Sequence, residues 1–208
     1  LFMREHEVLR QHEKLAMLGQ MATGIAHEVR NPLTTILGFS QIIALKTQDR
    51  SIIEYVRLIE NEVHRLNKVV SNLLTFAKPR SPVLNETSLN NLVKSLESML
   101  ETYPMTKSVG ISYSLANDER AVRVDSNQIK QAVLNIVQNA VEAVQDVRDP
   151  QIIIATGFSG LLNEMQIKIY DNGRGMTKEE KGKVGTPFFT TKARGTGLGM
   201  SICFRIVK

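Results

Sequence analysis

The sequence predicts two consecutive units of different fold class, an all-α helical hairpin followed by a mixed α+β domain. Two long segments with a regular apolar stripe open the chain, and alternating β-branched segments appear only after the proline-containing stretch "KPRSPVL". A chain of 208 residues is long enough for two small domains. We therefore predict a hairpin in residues 1–80 and a second domain in residues 84–208.

The first helix is predicted from about Arg4 to Leu45. Its apolar residues follow alternating three- and four-residue steps, and the pattern is interrupted only at Pro32 and Ser40. The stripe consists of Leu15, Leu18, Ala22, Ile25, Val29, Ile36 and Ile43. The charged start of the chain has the composition of a helix interior, so residues 1–14 are expected to continue an upstream helix.

The second helix is predicted from about Ile52 to Ala77, after the polar turn "KTQDRS". Its apolar residues form an unbroken heptad pattern, which is typical of helical bundles. They are Ile52, Val56, Ile59, Val63, Leu66, Val70 and Leu73. Two helices joined by a short loop form an antiparallel hairpin, and we expect two hairpins to dimerise into a four-helix bundle that buries both stripes.

The second domain is predicted to combine helices with short strands. Ser88 is expected to cap a helix that runs to about Thr102, and Asp125 with Gln128 a helix that runs to about Asp146. The segments "GISYSL", "AVRV", "QIIIAT" and "EMQIKIY" alternate as strands, and "LGMSICFRIVK" closes the chain as a short helix.

Composition excludes several classes of protein. No run of 18 apolar residues is present, so no membrane-spanning segment is predicted. The single cysteine, Cys203, excludes a disulfide framework; we expect it to pack in a core in a reducing, cytoplasmic setting. The net charge of +5 would suit a phosphorylated ligand, and no groove-reading motif accompanies it, so no nucleic-acid partner is expected.

A histidine on the first helix is the first candidate for chemistry. At about 100° per residue, His27 lies roughly 200° from both Ile25 and Val29, so it faces away from the apolar stripe. Asn31 shares this outward face, and Glu28 offers a carboxylate that can accept the imidazole proton. Pro32 removes a helical hydrogen bond at a cost of about 3 kcal/mol, which suggests a bend used for function.

Three further motifs combine amides, glycines and cations. Asn135 and Asn139 are four residues apart on a helix, where two carboxamides can contact Mg²⁺ or phosphate oxygens. The glycine-rich segments "DNGRGM" and "GTGLGM" allow backbone N–H groups to approach a ligand closely. Between them lies a segment with Lys192 and Arg194, which predicts a flap that carries positive charge to a polyphosphate.

The ordered set "HEVRNP", "NIVQNAVEA", "DNGRGM", "PFFTTK" and "GTGLGMSI" resembles the five sequence boxes of bacterial sensor histidine kinases. Within that family the stretch around His27 is most similar to the sporulation-type kinases of endospore formers. The resemblance implies a dimerisation and histidine-phosphotransfer hairpin, whose residues 1–14 continue a signalling helix. It also implies a two-layer α/β sandwich of the histidine kinase, gyrase and heat-shock chaperone type, C-terminally truncated here because the family's domain continues past the last box.

The resemblance also implies roles for particular residues. His27 would accept the phosphoryl group, Glu28 would take its proton, and Asn31 would position a water in the reverse reaction. Asn139 would hold the Mg²⁺ that accompanies ATP. The remaining residues implied to contact the nucleotide are Asn135, Asp171, Gly173, Gly175, Met176, Thr190, Thr191, Lys192, Arg194, Gly195, Thr196, Gly197, Leu198 and Gly199.

The expected activity is therefore autophosphorylation of a histidine with ATP and Mg²⁺, then transfer to an aspartate of a response-regulator receiver domain. A homodimer is expected, a small antikinase inhibitor is a further candidate partner, and any membrane attachment would lie upstream. Two alternatives stay open: an ATPase or clamp of the same fold, and a dimeric scaffold that binds nucleotide without catalysis. Asn135 disfavours the ATPase, because the hydrolytic relatives carry a glutamate there.

Overall fold

A computed structural model describes the backbone of residues 2–78, 80–102, 106–192 and 195–207, with side chains from residue 24 onward within these ranges. The chain divides into two compact units, Leu1–Arg80 and Ser81–Lys208. Among the described residues, no helix combines the length and apolar character that a bilayer crossing requires.

The first unit is the predicted hairpin. Helix α1 spans Phe2–Lys46 and helix α2 spans Arg50–Ala77. Asp49 caps α2, because its Oδ1 accepts a hydrogen bond from the backbone N–H of Ser51 at 2.8 Å. The connection is thus shorter than the predicted turn, and the helical hairpin is confirmed.

The side of α1 that faces α2 differs from the predicted stripe. The buried residues of the described part of α1 are Ala26, Leu33 and Ser40, at seven-residue intervals. Arg30, on the same side, donates from its Nη2 to the Ser71 hydroxyl of α2 at 3.0 Å. Ser40, which interrupts the predicted apolar stripe, is itself part of this contact: its Oγ donates to the Leu37 carbonyl oxygen at 2.8 Å, which satisfies the hydroxyl and lets it be buried.

Only part of each predicted apolar stripe is buried by the contact between α1 and α2 within one chain. On α2, Val56 and Val63 are buried, whereas the alternate residues of the heptad pattern, Ile52, Ile59 and Leu66, are exposed. On α1, the exposed fractions of Ile25, Ile36 and Ile43 are 50%, 46% and 47%. The side chains of Leu15, Leu18 and Ala22 lie outside the described residues. Each helix therefore has one stripe packed within the hairpin and a second, apolar stripe at its surface.

The second unit is the predicted mixed α+β domain. Its elements are β1 Asn85–Thr87, α3 Leu89–Thr102, β2 Gly110–Ser114, β3 Val122–Val124, α4 Ser126–Ala143, β4 Gln151–Ser159, β5 Glu164–Asp171, α5 Lys178–Lys183 and α6 Gly199–Val207. The described strands form a three-stranded mixed sheet, in which β4 pairs parallel with β2 and antiparallel with β5. A separate antiparallel ladder joins β1 to β3.

The core lies between the sheet and the two longer helices, which makes the domain two-layered. Along β4, Ile152 and Ile154 are fully buried, whereas Ile153 between them is 43% exposed. Full burial of such side chains contributes about 1.5–3 kcal/mol each. Helices α3 and α4, with the residue that follows α4, cover this face with Leu92, Val93, Leu96, Leu100, Val133, Val137, Ala140, Val141 and Val144.

Two short elements were missed, and two elements end three residues away from their predicted ends. Strand β4 continues to Ser159, beyond the predicted Thr156. Strand β1 is a polar tripeptide without alternation, so only its pairing with β3 defines it. Helix α5 carries a readable signal: Thr177 and Glu180 form a reciprocal capping box. Helix α4 ends at Ala143 rather than Asp146. The predicted cap at Ser88 is confirmed, because its hydroxyl accepts from the Asn91 N–H at 3.0 Å.

Asp125 should stabilise the second unit in a pH-dependent way. Its carboxylate accepts hydrogen bonds from the backbone N–H groups of Val83, Asn127 and Gln128 at 2.9, 2.9 and 3.1 Å, and these bonds lower its pKa. A lowered folded-state pKa stabilises the protein above the unfolded pKa, and the contribution disappears as the pH falls through the folded pKa. We expect Asp125→Ala to lower the melting temperature at pH 7, with the difference from the parent shrinking below about pH 4.

Asp118→Ala is the matched control, since this aspartate is exposed in a loop. Thermal unfolding from pH 3 to 7 measures both variants. A melting difference for Asp125→Ala that stays constant down to pH 3 would contradict this role.

Candidate functional site

His27 and its neighbours lie at the surface of α1. His27, Glu28 and Asn31 are all exposed, whereas Ala26 and Arg30 turn towards α2. At about 100° per residue, His27 and Asn31 lie about 40° apart on one side of the helix, roughly 160° and 120° from Ile25. The imidazole is therefore accessible to a large partner and separate from the exposed apolar stripe.

Helix α1 continues through Pro32 without interruption. Proline has no N–H, so the Glu28 carbonyl oxygen loses its usual helical partner. In the next turn, the hydroxyl groups of Thr34 and Thr35 donate to the carbonyl oxygens of Arg30 and Asn31 at 2.9 and 3.2 Å. Such back-bonding is associated with bent helices, and here it surrounds the turn that carries the histidine.

In the second unit, Asn139 on α4 contacts the predicted flap. The Lys192 Nζ donates to Asn139 Oδ1 at 2.7 Å and forms an ion pair with the Glu142 carboxylate. Gln138 Nε2 donates to the other carboxylate oxygen at 3.0 Å. An amide oxygen and a carboxylate oxygen, one helical turn apart, thus converge on one positive charge.

These oxygens fit the requirements of a magnesium site. Mg²⁺ is usually held by one or two protein oxygens, and the substrate phosphates and water complete its coordination. Among the described residues, no group of three or more His, Cys, Asp or Glu side chains could hold a metal by itself. The oxygens of Asn139 and Glu142 could therefore contribute part of the coordination of a cation whose other ligands are phosphate oxygens and water.

Asn135 lies on the same helix, beside the start of α6. A Cβ built on Gly199 would stand 4.0 Å from Asn135 Cγ. The Nδ2 of Asn135 is buried and has no hydrogen-bond partner of normal geometry among the described residues. Cys203 of α6 is buried as expected, and burial raises the pKa of its thiol more than the Asn135 amide lowers it.

The loop after β5 is held tightly against the end of α4. Asp171 Oδ1 accepts from the Gly173 N–H at 3.0 Å, and the Arg174 N–H donates to the Ala143 carbonyl oxygen at 3.3 Å. A Cβ on Gly173 would lie 2.6 Å from that oxygen, so only glycine fits. Gly175 has a φ of +67°, which favours glycine, and it faces open space.

The flap returns onto the second glycine loop. The Phe188 N–H donates to the Gly197 carbonyl oxygen at 3.0 Å, and a Cβ on Gly197 would clash with the Phe188 backbone. The Thr190 hydroxyl accepts from the Lys192 N–H at 3.1 Å, which forms a small turn that carries the lysine. Leu198 is buried, and its N–H reaches the Thr196 hydroxyl at 3.4 Å.

The structure brings three pairs of predicted elements together. Asn139 contacts Lys192, Asn135 lies beside Gly199, and the loop that carries Asp171 packs on the end of α4. These motifs therefore converge on α4. Gly175 and Met176 are exposed, and Gly195 lies against Thr190. Arg194 lies outside the described residues.

Two residues that contact the predicted site residues were not identified from the sequence. Arg174 Nη2 donates to the Thr191 hydroxyl at 3.4 Å, and Glu142 pairs with Lys192. Glu142 could have been identified from its position, because it is an acidic residue one helical turn after Asn139.

Comparisons with known proteins agree with both units. A family model described as "His Kinase A (phospho-acceptor) domain" matches residues 17–82, and one described as "Histidine kinase-, DNA gyrase B-, and HSP90-like ATPase" matches residues 124–208. The chain belongs to the sensor histidine kinase family, which confirms the resemblance and the fold class.

A sporulation kinase is among the curated relatives, which agrees with the finer resemblance, and so is a histidine kinase without that designation. The chain is 36% identical over 200 residues to sporulation kinase C of Bacillus subtilis, which covers 96% of this chain and 45% of that protein. It is 38% identical over 199 residues to the signal transduction histidine-protein kinase AtoS of Escherichia coli, which covers 96% of this chain and 32% of that protein. The chain therefore spans less than half the length of these relatives.

A solved structure of histidine kinase ThkA in complex with the response regulator protein TrrA matches 98% of this chain and 58% of that chain. Its TM-score is 0.65 and its sequence identity is 30%. Full-length ShkA in complex with AMPPNP has a TM-score of 0.74 at 18% identity, over 90% of this chain and 40% of that chain, and supports the fold alone.

Proposed function

We propose that this chain is the catalytic core of an ATP:protein-histidine phosphotransferase. One observation carries the proposal: an exposed His27–Glu28 pair on a hairpin is followed in the same chain by an ATPase-type domain whose Asn139 side-chain oxygen accepts a hydrogen bond from the Lys192 ammonium. Residues 1–80 would form the dimerisation and phosphotransfer unit, and residues 84–208 the ATP-binding unit. The chain would act in the cytoplasm, where ATP is available.

The proposed reaction transfers the γ-phosphoryl group of ATP to His27. Glu28 accepts the proton of one imidazole nitrogen, Nδ1, which makes Nε2 a better nucleophile. Nε2 forms a bond to the γ-phosphorus as the bond to the bridging oxygen breaks and ADP leaves. The phosphoryl group then passes from Nε2 to an aspartate of a response-regulator receiver domain, and Asn31 would position water for the reverse, dephosphorylating reaction.

The second unit would bind and orient the nucleotide. Asn139, assisted by Asn135, would hold Mg²⁺, which when bound offsets the negative charge of the phosphates. Asp171 would accept a hydrogen bond from the adenine amino group, in the loop that Gly173 packs against α4. The Gly195–Gly199 loop at the start of α6 would surround the phosphates, where backbone N–H groups favour anions. Thr190, Thr191, Lys192 and Arg194 would form the lid.

The hairpin would work as a homodimer. Ile25, Ile36 and Ile43 on α1, and Ile52 and Ile59 on α2, leave apolar stripes exposed that a second hairpin would bury. The receiver domain would dock on this bundle, because its aspartate must reach His27. An antikinase inhibitor that grips the hairpin stays a prediction from the family resemblance.

Incubation with γ-labelled ATP and Mg²⁺ tests the proposal. We expect label on the protein that is labile in acid and stable in alkali, as a phosphorus–nitrogen bond requires. Steady release of phosphate without labelled protein would instead favour an ATPase. Nucleotide binding with neither result would favour a non-catalytic scaffold.

Replacement of Pro32 tests whether the bend expected at this proline is functional. We expect Pro32→Ala to leave ATP affinity nearly unchanged while changing the rate of phosphotransfer to His27, because alanine restores the hydrogen bond to the Glu28 carbonyl oxygen. Single-turnover labelling and equilibrium nucleotide binding measure the two quantities separately. If both keep the parent values, Pro32 serves packing only.

A further inference from the structure

The contact between Lys192 and α4 defines a single point where two side-chain oxygens meet. Asn139 and Glu142 are three residues apart on α4, so their side chains lie one above the other on the same face. The Lys192 Nζ lies 2.7 Å from Asn139 Oδ1 and also pairs with Glu142 Oε2. The hydrogen bond from Gln138 to Oε1 orients the carboxylate, so that Oε2 points to the lysine.

A lysine ammonium and a hydrated Mg²⁺ ion require the same kind of ligands at such a point. Each needs oxygen acceptors, and a carboxylate beside an amide oxygen satisfies either cation. The two cations repel each other and cannot occupy one point together. An Mg²⁺ ion held by Asn139 would therefore have to take the place of the Lys192 ammonium.

The two sides of this contact differ in how firmly they are held. Glu142 belongs to α4, whose opposite face is in the core, and its side chain is only 24% exposed. Lys192 is 37% exposed and lies in a short turn closed by the Thr190 hydroxyl and by the Gly195 N–H to the Lys192 carbonyl oxygen. A competing cation is therefore expected to displace the lysine rather than the carboxylate.

We propose that Asn139 and Glu142 form one cation-binding point, called the cation point here. The Lys192 ammonium and the divalent cation that accompanies a nucleoside triphosphate occupy this point alternately. Glu142 is then a metal-positioning residue outside the residues predicted from the motifs. Metal loading releases Lys192 from α4, so the occupancy of this point is coupled to the position of the turn formed by Thr190 and Lys192. The assignment of the metal-bearing ligand as a nucleotide rests on the function proposed above.

The test measures metal affinity directly, with Mn²⁺ as the probe and a non-hydrolysable ATP analogue at saturation, by electron paramagnetic resonance of free Mn²⁺. We expect Glu142→Gln, which keeps the shape and the contact with Gln138, to raise the Mn²⁺ Kd about tenfold. Asp146→Asn is the matched control: it removes one acid a turn further along the same segment, where the aspartate is exposed, and should change the Kd less than about twofold.

A second pair of variants tests the competition. Because Lys192 competes with the metal, Lys192→Met should lower the Mn²⁺ Kd about threefold in the parent background and by a smaller factor in the Glu142→Gln background, where the lysine has lost its ion pair. Lys178→Met, an exposed lysine at the start of α5, controls for the loss of one positive charge. Analogue affinity in EDTA is measured in parallel, so that any phosphate contact of Lys192 is recorded separately.

The outcomes separate this inference from the proposed function. If Glu142→Gln behaves like Asp146→Asn, or if Lys192→Met raises the Mn²⁺ Kd, the shared cation point is overturned even when His27 is phosphorylated. If the metal pattern is found but His27 takes no label, the inference stands and the kinase proposal fails. A parent chain that binds no ATP analogue overturns both.

Discussion

Replacing His27 by glutamine is expected to abolish acid-labile labelling of the chain by ATP, with a loss of at least about a thousandfold in phosphoryl transfer. The imidazole is the proposed nucleophile, and a carboxamide cannot form a stable bond to phosphorus in its place. Nucleotide affinity should stay within about twofold, because the ATP-binding residues all lie in the second unit. His27 is exposed on a helix, so the substitution should change the free energy of unfolding by less than about 0.5 kcal/mol.

His64→Gln is the matched control for this variant. His64 is also exposed on a helix of the hairpin, next to the buried Val63, but it lacks an adjacent acid. We expect it to label like the parent. Label that persists in His27→Gln, or that disappears equally in His64→Gln, would rule out His27 as the phosphoacceptor.

The second large effect is expected at Gly173. Its added Cβ in Gly173→Ala would lie 2.6 Å from the Ala143 carbonyl oxygen and 2.8 Å from the Ala143 Cβ. Backbone cannot yield as a flexible side chain does, so the loop that carries Asp171 must move away from α4 and lose the Arg174 hydrogen bond. We expect nucleotide affinity to fall more than about tenfold, since a displacement near 1 Å can cost about a hundredfold at a positioned group.

Calorimetric binding of ADP and of a non-hydrolysable ATP analogue measures this effect. Because Asp171 is proposed to contact adenine, both nucleotides should weaken equally, whereas a defect in the lid would weaken the triphosphate more. Gly182→Ala is the control: a Cβ there meets nothing within 4 Å, and alanine favours helix α5. Parent affinity in Gly173→Ala, with the loop still folded, would remove Gly173 from the site.

The helices of the hairpin were predictable because their apolar periodicity extends over many turns. The side on which α1 meets α2 was not. Residues Ala26 and Ser40 are small, so a pattern of large apolar residues passes over them, yet small side chains let the helices approach closely. The isoleucines that dominate the pattern stay at the surface of one chain. Periodicity therefore predicted that stripes exist, without distinguishing the contact inside the hairpin from the one proposed between hairpins.

In the second unit, short polar elements escaped prediction for a related reason. Strand β1 exists because β3 pairs with it, and no property of "NET" by itself requires a strand. Helix α5 has its own local signal in Thr177 and Glu180, which the sequence alone could have identified. Local hydrogen bonds are encoded in neighbouring residues, whereas strand pairing depends on residues far apart in the chain.

The sequence by itself determined which residue types could do chemistry here: a histidine beside a carboxylate, two asparagines one turn apart, and glycines at close approaches. Only the tertiary structure decided that Glu142 shares a cation with Asn139, because Lys192 lies about fifty residues away from both in the chain. It alone also decided that Gly173 is required by the Ala143 carbonyl oxygen. Both are contacts across the fold, and residue spacing carries no information on distances between segments that only packing brings together.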